Sequence, residues 1–268
     1  MQEITSFQNS KVKLANKLIS KRHREREGLF LIDYGRDLER AIGQGYEAVT
    51  VFYCSALASD GDKELLSALD ESMIYVVDTE LMSKVSYRQN PGGLVAIMAQ
   101  KPRLAIADLY GRHTGHLLAL VDLRKPGNIG ALLRTADAAG LDTVCLIDSA
   151  LDLYNPNIIR ASTGAVFLDN VYQIHREEAF AYFTEARMTV VGAHLDGTES
   201  LYTLDFTRGR TAIVLGTEDS GLDAIWVDRC DSLVKIPMVG TLSDSLNVSV
   251  SGAVFMYEAL RQHQQASN

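Results

Sequence analysis

The residues best suited to chemistry lie in three short segments of the second half of the chain. In the first, a turn at Pro126-Gly127 precedes Asn128 and Arg134, and a helix is expected to end at Gly140. Asparagine is a common N-cap, so Asn128 suits the start of that helix. The glycine spacing matches neither a dinucleotide-binding loop nor a P-loop. An ordinary capped helix, with Arg134 in solvent, and a ligand-binding turn both explain the segment.

The second segment runs from Gly216 to Gly221 and follows an apolar strand pattern. Its two glycines bracket Glu218 and Asp219, and glycine lets backbone amides and carbonyls approach a ligand closely. Glu218 could accept hydrogen bonds from the hydroxyls or amines of a cofactor or nucleoside. A generic turn between a strand and a helix also explains this segment.

The third segment is an extended Ile236-Pro237-Met238 stretch, followed by the turn residue Gly240 and then by Ser245 and Asn247. Ser245 and Asn247 supply a hydroxyl and an amide near the start of the last predicted helix. Both groups suit either helix capping or contact with a substrate.

The elements around these segments predict an α/β domain. The predicted strands are Leu117–Val121, Thr143–Ile147, Thr189–Ala193 and Thr211–Leu215. The predicted helices lie near Ile129–Ala139, Glu177–Ala186, Asp223–Arg229 and Val248–Arg261. This alternation predicts a mostly parallel sheet with helices on both faces, in which ligands bind at the carboxyl ends of the strands.

The first hundred residues predict a separate, smaller α/β domain. Strands are expected at Leu29–Asp33, Ala48–Cys54, Met73–Val77 and Gly93–Met98, with helices near Asp37–Ile42 and Lys63–Leu69 and a basic amphipathic segment over Ser10–Arg24. A stretch rich in proline, glycine and polar residues indicates a linker over residues 100–115. We therefore expect domains at residues 1–105 and 106–268.

Taken together, the three segments resemble the three motifs of the SpoU (TrmH-like) family of RNA 2′-O-methyltransferases, within the SPOUT superfamily. The family patterns are N-x-G-A/S-x-x-R-T-A-x-A-x-G, L-G-x-E-x-x-G-L, and I-P-M-x-G followed by S-L-N-V-S-V. Their order and separation match over residues 117–262. The opening of the chain, with Ile4-Thr5-Ser6 and Phe30-Leu31-Ile32, is similar to the ribosomal-protein-like RNA-binding domain that many members carry.

The resemblance implies a trefoil-knotted catalytic domain, a homodimer packed through that domain, and S-adenosylmethionine (SAM) as the cofactor. The positions that it implies for SAM binding are Leu215, Gly216, Ile236, Met238 and Leu246. The implied catalytic and substrate-side positions are Asn128, Arg134, Glu218, Ser245 and Asn247. The chain departs from the family pattern at Asp219, where many members have glycine, and in a turn over residues 240–244 that is one residue longer than usual.

For transfer to a ribose hydroxyl, alignment with the methyl group is the main task of the protein. A guanidinium stays protonated in proteins, so we expect Arg134 to bind the adjacent phosphate and to stabilise negative charge on the 2′-oxygen, not to act as a base. A phosphate oxygen or water would accept the proton. Asn128 is expected to orient Arg134 or the RNA, while Ser245 and Asn247 hold the ribose or the loop. No metal is required.

The net charge of −8 argues mildly against nucleic acid, but phosphate contact needs only a local basic surface. The basic residues expected to bind RNA are Lys11, Lys13, Lys21, Arg22 and Arg24; a solvated helix face is the simpler explanation of that stretch. We expect ribosomal RNA in preference to transfer RNA. Alternatives are a catalytically silent RNA-binding member of the fold and a methyltransferase that acts on protein or a small molecule.

The remaining features of the sequence predict a cytoplasmic protein. The chain lacks an apolar run long enough to span a membrane, and its first residues lack the pattern of a secretory signal. The three cysteines are widely separated, which fits a reducing compartment.

Overall fold

A computed structural model describes residues 1–110 and 115–267. The chain forms two compact units: unit 1 is Met1–Pro102 with Asp152–Leu168, and unit 2 is Arg103–Leu151 with Asp169–Asn268. Residues 111–114 of the expected linker lie outside the described residues. The expected domain boundary between residues 105 and 106 stays a prediction.

Unit 1 is built on a five-stranded sheet with the strand order β1-β4-β3-β5-β2. The strands are β1 (Gln2–Glu3), β2 (Leu29–Ile32), β3 (Ala48–Tyr53), β4 (Ile74–Val76) and β5 (Leu94–Ala99). The helices are α1 (Ser10–Lys17), α2 (Lys21–Glu27), α3 (Gly35–Gly43), α4 (Asp60–Ser67), α5 (Thr79–Val85) and α8 (Pro156–Ser162). Only β5 runs antiparallel to its neighbours, and its buried Val95 and Ile97 pack with Phe52 in the core of the unit.

The basic segment predicted over Ser10–Arg24 is not one helix. Helix α1 ends at Lys17, and α2 begins at Lys21 after Ser20, whose backbone is extended. Leu18 between the two helices is fully buried, so the break turns an apolar side chain into the core and redirects the basic residues that follow. Hydrophobic spacing predicted the helical character but not this break.

Unit 2 is built on a seven-stranded parallel sheet with the order β10-β12-β9-β11-β6-β7-β8. The strands are β6 (Leu117–Val121), β7 (Thr143–Ile147), β8 (Val171–Ile174), β9 (Thr189–Ala193), β10 (Glu199–Ser200), β11 (Thr211–Leu215) and β12 (Ser232–Lys235). The helices are α6 (Ile106–Leu109), α7 (Pro126–Ala138), α9 (Arg176–Glu185), α10 (Ala224–Arg229) and α11 (Val248–Ala266). This confirms the predicted α/β class, while the knot stays a prediction.

Helices cover both faces of the unit 2 sheet. On one face, Val214 packs with Phe183 of α9 and Trp226 of α10. On the other face, α11 approaches β11 and α7 so closely that a Cβ on Gly252 would lie 2.4 Å from Leu132 Cδ2 and 2.8 Å from Leu215 Cδ1. Glycine at position 252 therefore permits the packing that fixes α7 and α11 beside the carboxyl end of β11. None of the helices in the described part of the chain is long and apolar enough to cross a membrane.

Candidate active site

A cavity of about 500 Å³ opens at the carboxyl ends of four adjacent strands of unit 2, namely β12, β9, β11 and β6. Residues at or after the ends of the strands line it, namely Lys125 after β6, residues 193–196 after β9, residues 215–221 after β11, and residues 234–236 with Met238 after β12. The start of α11 contributes residues 245–248, Ser251 and Phe255. Strand β6 has β7 on one side and β11 on the other, so the chain order reverses there. Parallel sheets bind ligands at such reversals.

The five positions expected to bind a cofactor all line this cavity. They are Leu215, Gly216, Ile236, Met238 and Leu246. Met238 and Leu246 are 37% and 36% exposed, so apolar surface faces the opening of the cavity. The structure thus brings residues of the second and third sequence segments together around one cavity.

The loop after β11 is a tight turn that its glycines make possible. Thr217 and Gly221 exchange backbone hydrogen bonds of 2.9 and 3.1 Å. A Cβ on Gly216 would lie 2.1 Å from the carbonyl carbon of Gly221, and Gly221 itself has a φ of +68°. Neither position tolerates a side chain without rearrangement. The turn presents Glu218 and Asp219 at its tip.

The carboxylate of Glu218 holds the turn that begins helix α7. It accepts a hydrogen bond of 2.8 Å from Asn128 Nδ2 and bonds of 3.2 and 3.4 Å from the backbone amides of Lys125 and Arg124. Burial raises the pKa of Glu218, but these hydrogen bonds outweigh it and keep that pKa below the ordinary value. The carboxylate is therefore ionised and already accepts three hydrogen bonds from its own chain, while its expected contact with ligand hydroxyls stays a prediction.

The sequence suggested that Asn128 is the N-cap of α7, but this is wrong. The helix begins at Pro126, and Lys125 occupies the cap position. The Asn128 amide instead joins two other segments: Nδ2 donates to Glu218, and Oδ1 accepts a bond of 3.2 Å from Asn247 Nδ2. Asn247 in turn caps α11 by accepting from the Ser249 backbone at 2.9 Å. A continuous chain of hydrogen bonds therefore links the three segments.

Ser245 and Arg134 differ in their relation to the cavity. Ser245 lines it and is exposed. Arg134 is exposed on α7, and no residue of α7 lines the cavity. Within the described ranges, the side chain of Arg134 has no hydrogen bond or ion pair. The structure thus brings four of the five expected catalytic residues together and leaves Arg134 apart.

Comparison with known proteins agrees with this architecture. Residues 115–257 match the family model described as the SpoU rRNA methylase family, and residues 9–96 match the MRM3-like substrate binding domain. This chain belongs to the SpoU rRNA methylase family.

Three similar proteins illustrate the relationship. The 23S rRNA (guanosine-2′-O-)-methyltransferase RlmB of Vibrio cholerae is 33% identical over 75% of this chain and 85% of its own length. The 23S rRNA (uridine(2479)-2′-O)-methyltransferase of Streptomyces viridochromogenes is 29% identical over 89% of this chain and 85% of its own length. The crystal structure of an AdoMet-bound rRNA methyltransferase from Sinorhizobium meliloti superimposes with a TM-score of 0.84 at 26% identity and covers 97% of each chain.

The cavity of this SpoU family member fits SAM in size and in chemistry. Its volume lies within the range of cofactor sites. Apolar walls adjoin charged groups of both signs, namely Lys125 and Lys235 on one hand and Asp196, Glu218 and Asp219 on the other. SAM carries a cationic sulfonium and ammonium as well as a carboxylate, so both signs of charge are useful there.

Several residues that line the cavity had no role predicted from the sequence motifs. These residues include Lys125, Asp196 and Phe255. His194 lines the cavity, and its Nδ1 accepts a bond of 3.2 Å from the Asp196 backbone. His194 directly follows a predicted parallel strand, and that position in the sequence already indicated a place beside the cavity.

The basic residues expected to contact RNA lie in unit 1 and separate into three groups. Lys13, Lys21 and Arg22 are exposed. Lys11 is half-buried, with Nζ 4.7 Å from the centre of the Tyr75 ring.

Arg24 is only 2% exposed, and its guanidinium donates to Asp152 Oδ2 at 2.6 Å and to the carbonyls of Leu18 and Ile19. The assignment of Arg24 to an RNA-docking surface is therefore wrong. Its charge is neutralised inside the protein, where RNA phosphates have no access.

Proposed function

We propose that this chain methylates a ribose 2′-hydroxyl of ribosomal RNA with SAM as the methyl donor. The observation that carries the proposal is the hydrogen-bonded chain Glu218–Asn128–Asn247 beside a cavity walled by all five expected cofactor positions. The similar proteins from Vibrio cholerae and Streptomyces viridochromogenes are named for guanosine and uridine, respectively, in 23S rRNA. The ribose hydroxyl is the reacting group that these substrates share, and the proposed site of action is the cytoplasm.

In this proposal Leu215, Gly216, Ile236, Met238 and Leu246 hold SAM, which when bound supplies an electrophilic methyl group on a sulfonium. Glu218 acts as a positioning residue that fixes Asn128 and the turn before α7. Ser245 and Asn247 face the cavity mouth, where a hydroxyl and an amide can hold a ribose. These groups orient the 2′-oxygen towards the methyl group, and such alignment lowers the barrier to transfer.

Arg134 is proposed to bind the phosphate next to the reacting ribose and to stabilise negative charge on the 2′-oxygen. Its exposed guanidinium is free to do so among the described residues, but it does not line the cavity of its own chain. We propose that the chain acts as a homodimer and that Arg134 of the partner subunit completes each site. Helix α7 packs against α11, and α11 exposes Val250 and Tyr257 at helical spacing on an apolar strip that a second copy would cover.

Two measurements test this proposal. Isothermal titration calorimetry of the folded protein should detect SAM binding, and Arg134→Ala should bind SAM with unchanged affinity. The same variant should methylate rRNA at least about tenfold more slowly because a charge-stabilising group has been removed. An Arg134→Lys variant keeps the positive charge but lacks the planar guanidinium, so it tests whether the contact with the phosphate is bidentate. Absence of SAM uptake by the wild type, or full activity of Arg134→Ala, would refute the assignment.

A further inference from the structure

A second surface of unit 1, apart from the basic stretch of α1 and α2, combines guanidinium groups with aromatic rings. Arg88 follows α5, and its guanidinium carbon lies 3.9 Å from the centre of the Tyr34 ring, which follows β2. Tyr87, 37% exposed, receives a hydrogen bond of 3.0 Å from Asn157 Nδ2 of α8 on its hydroxyl. Arg160, exposed on the same helix, donates to Asn157 Oδ1 at 3.3 Å. These five residues are named the Tyr34–Arg88 surface.

The Tyr34–Arg88 surface is preformed by contacts beneath it. The carboxylate of Asp33 is buried, and its Oδ2 accepts bonds from Ser86 Oγ at 3.2 Å and from the Arg88 backbone at 3.1 Å. The Arg88 amide also donates to Ser86 Oγ at 3.0 Å. These bonds fix the backbone from which Tyr87 and Arg88 project, so little ordering entropy would be lost on binding.

The chemistry of this surface matches single-stranded RNA. Tyrosine rings and arginine planes are the groups on which unpaired bases stack, and exposed guanidiniums bind phosphates. The neighbouring Gln89 and Asn90 are exposed and supply amides that can read base edges.

We propose that the Tyr34–Arg88 surface binds unpaired nucleotides of the RNA substrate, with bases stacked on Tyr87 and Arg88 and a phosphate held by Arg160. The proposal rests on the proposed function, and it adds a recognition site to which neither the sequence motifs nor the basic helices point. Segment Asp152–Leu168 gains a role as well, because its helix α8 supplies two of the five residues.

The test measures binding of a short fluorescein-labelled single-stranded RNA of mixed sequence by fluorescence anisotropy at several salt concentrations. Arg88→Ala should weaken binding about tenfold, the loss expected for one stacked base. Arg160→Ala should lower the slope of log affinity against log salt by about 0.7, the value for one phosphate contact to a single strand. Arg88→Lys keeps the charge and loses the plane, so its affinity should fall while its salt slope stays near that of the wild type.

Arg208→Ala is the matched control, since this arginine lies in unit 2 with a side chain 86% exposed. It should bind the RNA as the wild type does. Circular dichroism melting of each variant separates lost contacts from lost folding. Equal RNA affinity of folded Arg88→Ala, Arg88→Lys and wild type would overturn the inference and leave the surface to a protein partner.

The two proposals fail differently. All residues of the Tyr34–Arg88 surface lie in unit 1, and all residues that line the cavity lie in unit 2. SAM affinity should therefore be the same in Arg88→Ala and wild type. A wild type that binds RNA through this surface without taking up SAM would refute the methyltransferase assignment alone.

Discussion

Asn128 and Glu218 show how single residues hold this site together. Both were expected at catalytic or substrate-side positions. In the structure, Asn128 Nδ2 donates a hydrogen bond of 2.8 Å to Glu218 Oε1. The sequence predicted the residues because their motifs are recognisable. It could not predict their contact, since 90 positions separate them in the chain and either side chain could equally have faced a ligand.

Replacing Asn128 by aspartate is the sharpest test of this contact. Two carboxylates would then lie within hydrogen-bonding distance, and like charges at that separation raise the pKa of one of them. We expect kcat/KM to fall more in Asn128→Asp than in Asn128→Ala at pH 8. Lowering the pH should close the gap between the two variants, because a shared proton removes the repulsion. Parallel pH profiles for the two variants would contradict a direct Asn128–Glu218 contact.

Arg24 shows the limit of reading charge from sequence. Seven basic residues lie within residues 11–26. Nothing in the local sequence distinguishes Arg24, whose side chain is buried, from the other six. Its partner Asp152 is 128 positions away.

Removing a single member of a buried ion pair leaves the other uncompensated, which typically costs about 3–5 kcal/mol. We therefore expect Arg24→Ala to lower the free energy of unfolding by that amount in urea titrations followed by circular dichroism. Arg26→Ala, at a side chain 57% exposed, serves as the control and should change it by less than about 0.5 kcal/mol. Equal midpoints for both variants would show that the Arg24–Asp152 pair does not support unit 1.

Among the elements, the central strands of unit 2 were predicted best. Strands β6, β7, β9 and β11 were predicted with the bounds that the structure has. Each is a short apolar run, as expected for parallel strands covered on both faces. Strand β8 was missed because Gln173 interrupts its apolar pattern, and β12 was missed because only Leu233 and Val234 of its four residues are apolar. Helix α8 was missed because its seven residues show little periodicity.

A pair of histidines lies in contact near the end of the C-terminal helix. His263 of α11 and His116 before β6 approach with their Nε2 atoms 2.6 Å apart, and Phe206 packs edge-on against His116. Burial, and secondarily the neighbouring His263, lower the pKa of His116 below its ordinary value, while Asp142 opposes the shift. His116 is therefore neutral in the folded protein at a pH where it is protonated in the unfolded chain.

The direction in which pH changes the stability follows from the number of protons that the folded and unfolded states bind. Below about pH 6.5 the unfolded state binds more protons at His116 than the folded state, so stability falls with decreasing pH. We expect the difference between the Tm at pH 7 and at pH 5 to be smaller in His116→Phe, which keeps a buried ring and removes the titration. His175→Gln, at a side chain 81% exposed, should retain the wild-type difference. If the Tm difference between pH 7 and pH 5 is the same in His116→Phe and in the wild type, His116 does not cause the pH dependence of stability.

At the scale of the whole molecule, the sequence predicted two α/β parts but not how the chain is shared between them. Segment Asp152–Leu168 lies between β7 and β8 in sequence, yet it belongs to unit 1. Tyr154 stacks on Phe30 there, with ring centres 4.4 Å apart. Such long-range pairing leaves no local pattern, which is why composition and spacing could not predict it.

The proposed homodimer is the second whole-molecule feature. Val250→Glu and Tyr257→Glu each place a charge on the exposed apolar strip of α11, where the side chains are 48% and 49% exposed. Both should shift the protein to monomers in sedimentation experiments and abolish methyl transfer, because each site would lose Arg134 of the partner subunit. Ile225→Glu introduces the same charge at a residue 51% exposed on α10 and should remain dimeric and active.

Mixed dimers extend that test. Arg134→Ala and Gly216→Val should each be inactive as homodimers, since one lacks the guanidinium and the other cannot form the turn at the cavity. Co-expressed, they should recover partial activity through sites that combine one intact cavity with one intact Arg134. Lack of any recovery in verified mixed dimers would assign Arg134 to its own chain.

The central claim is that the product is a ribose 2′-O-methyl group on ribosomal RNA. The most direct measurement incubates the protein with SAM labelled in its methyl group and unmodified rRNA, and then hydrolyses the RNA in alkali. A methylated 2′-oxygen cannot attack the adjacent phosphodiester, so the account predicts label in alkali-stable dinucleotides. Label in mononucleotides would indicate base methylation, and an RNA fraction without label would indicate a silent binder; either result would contradict the account.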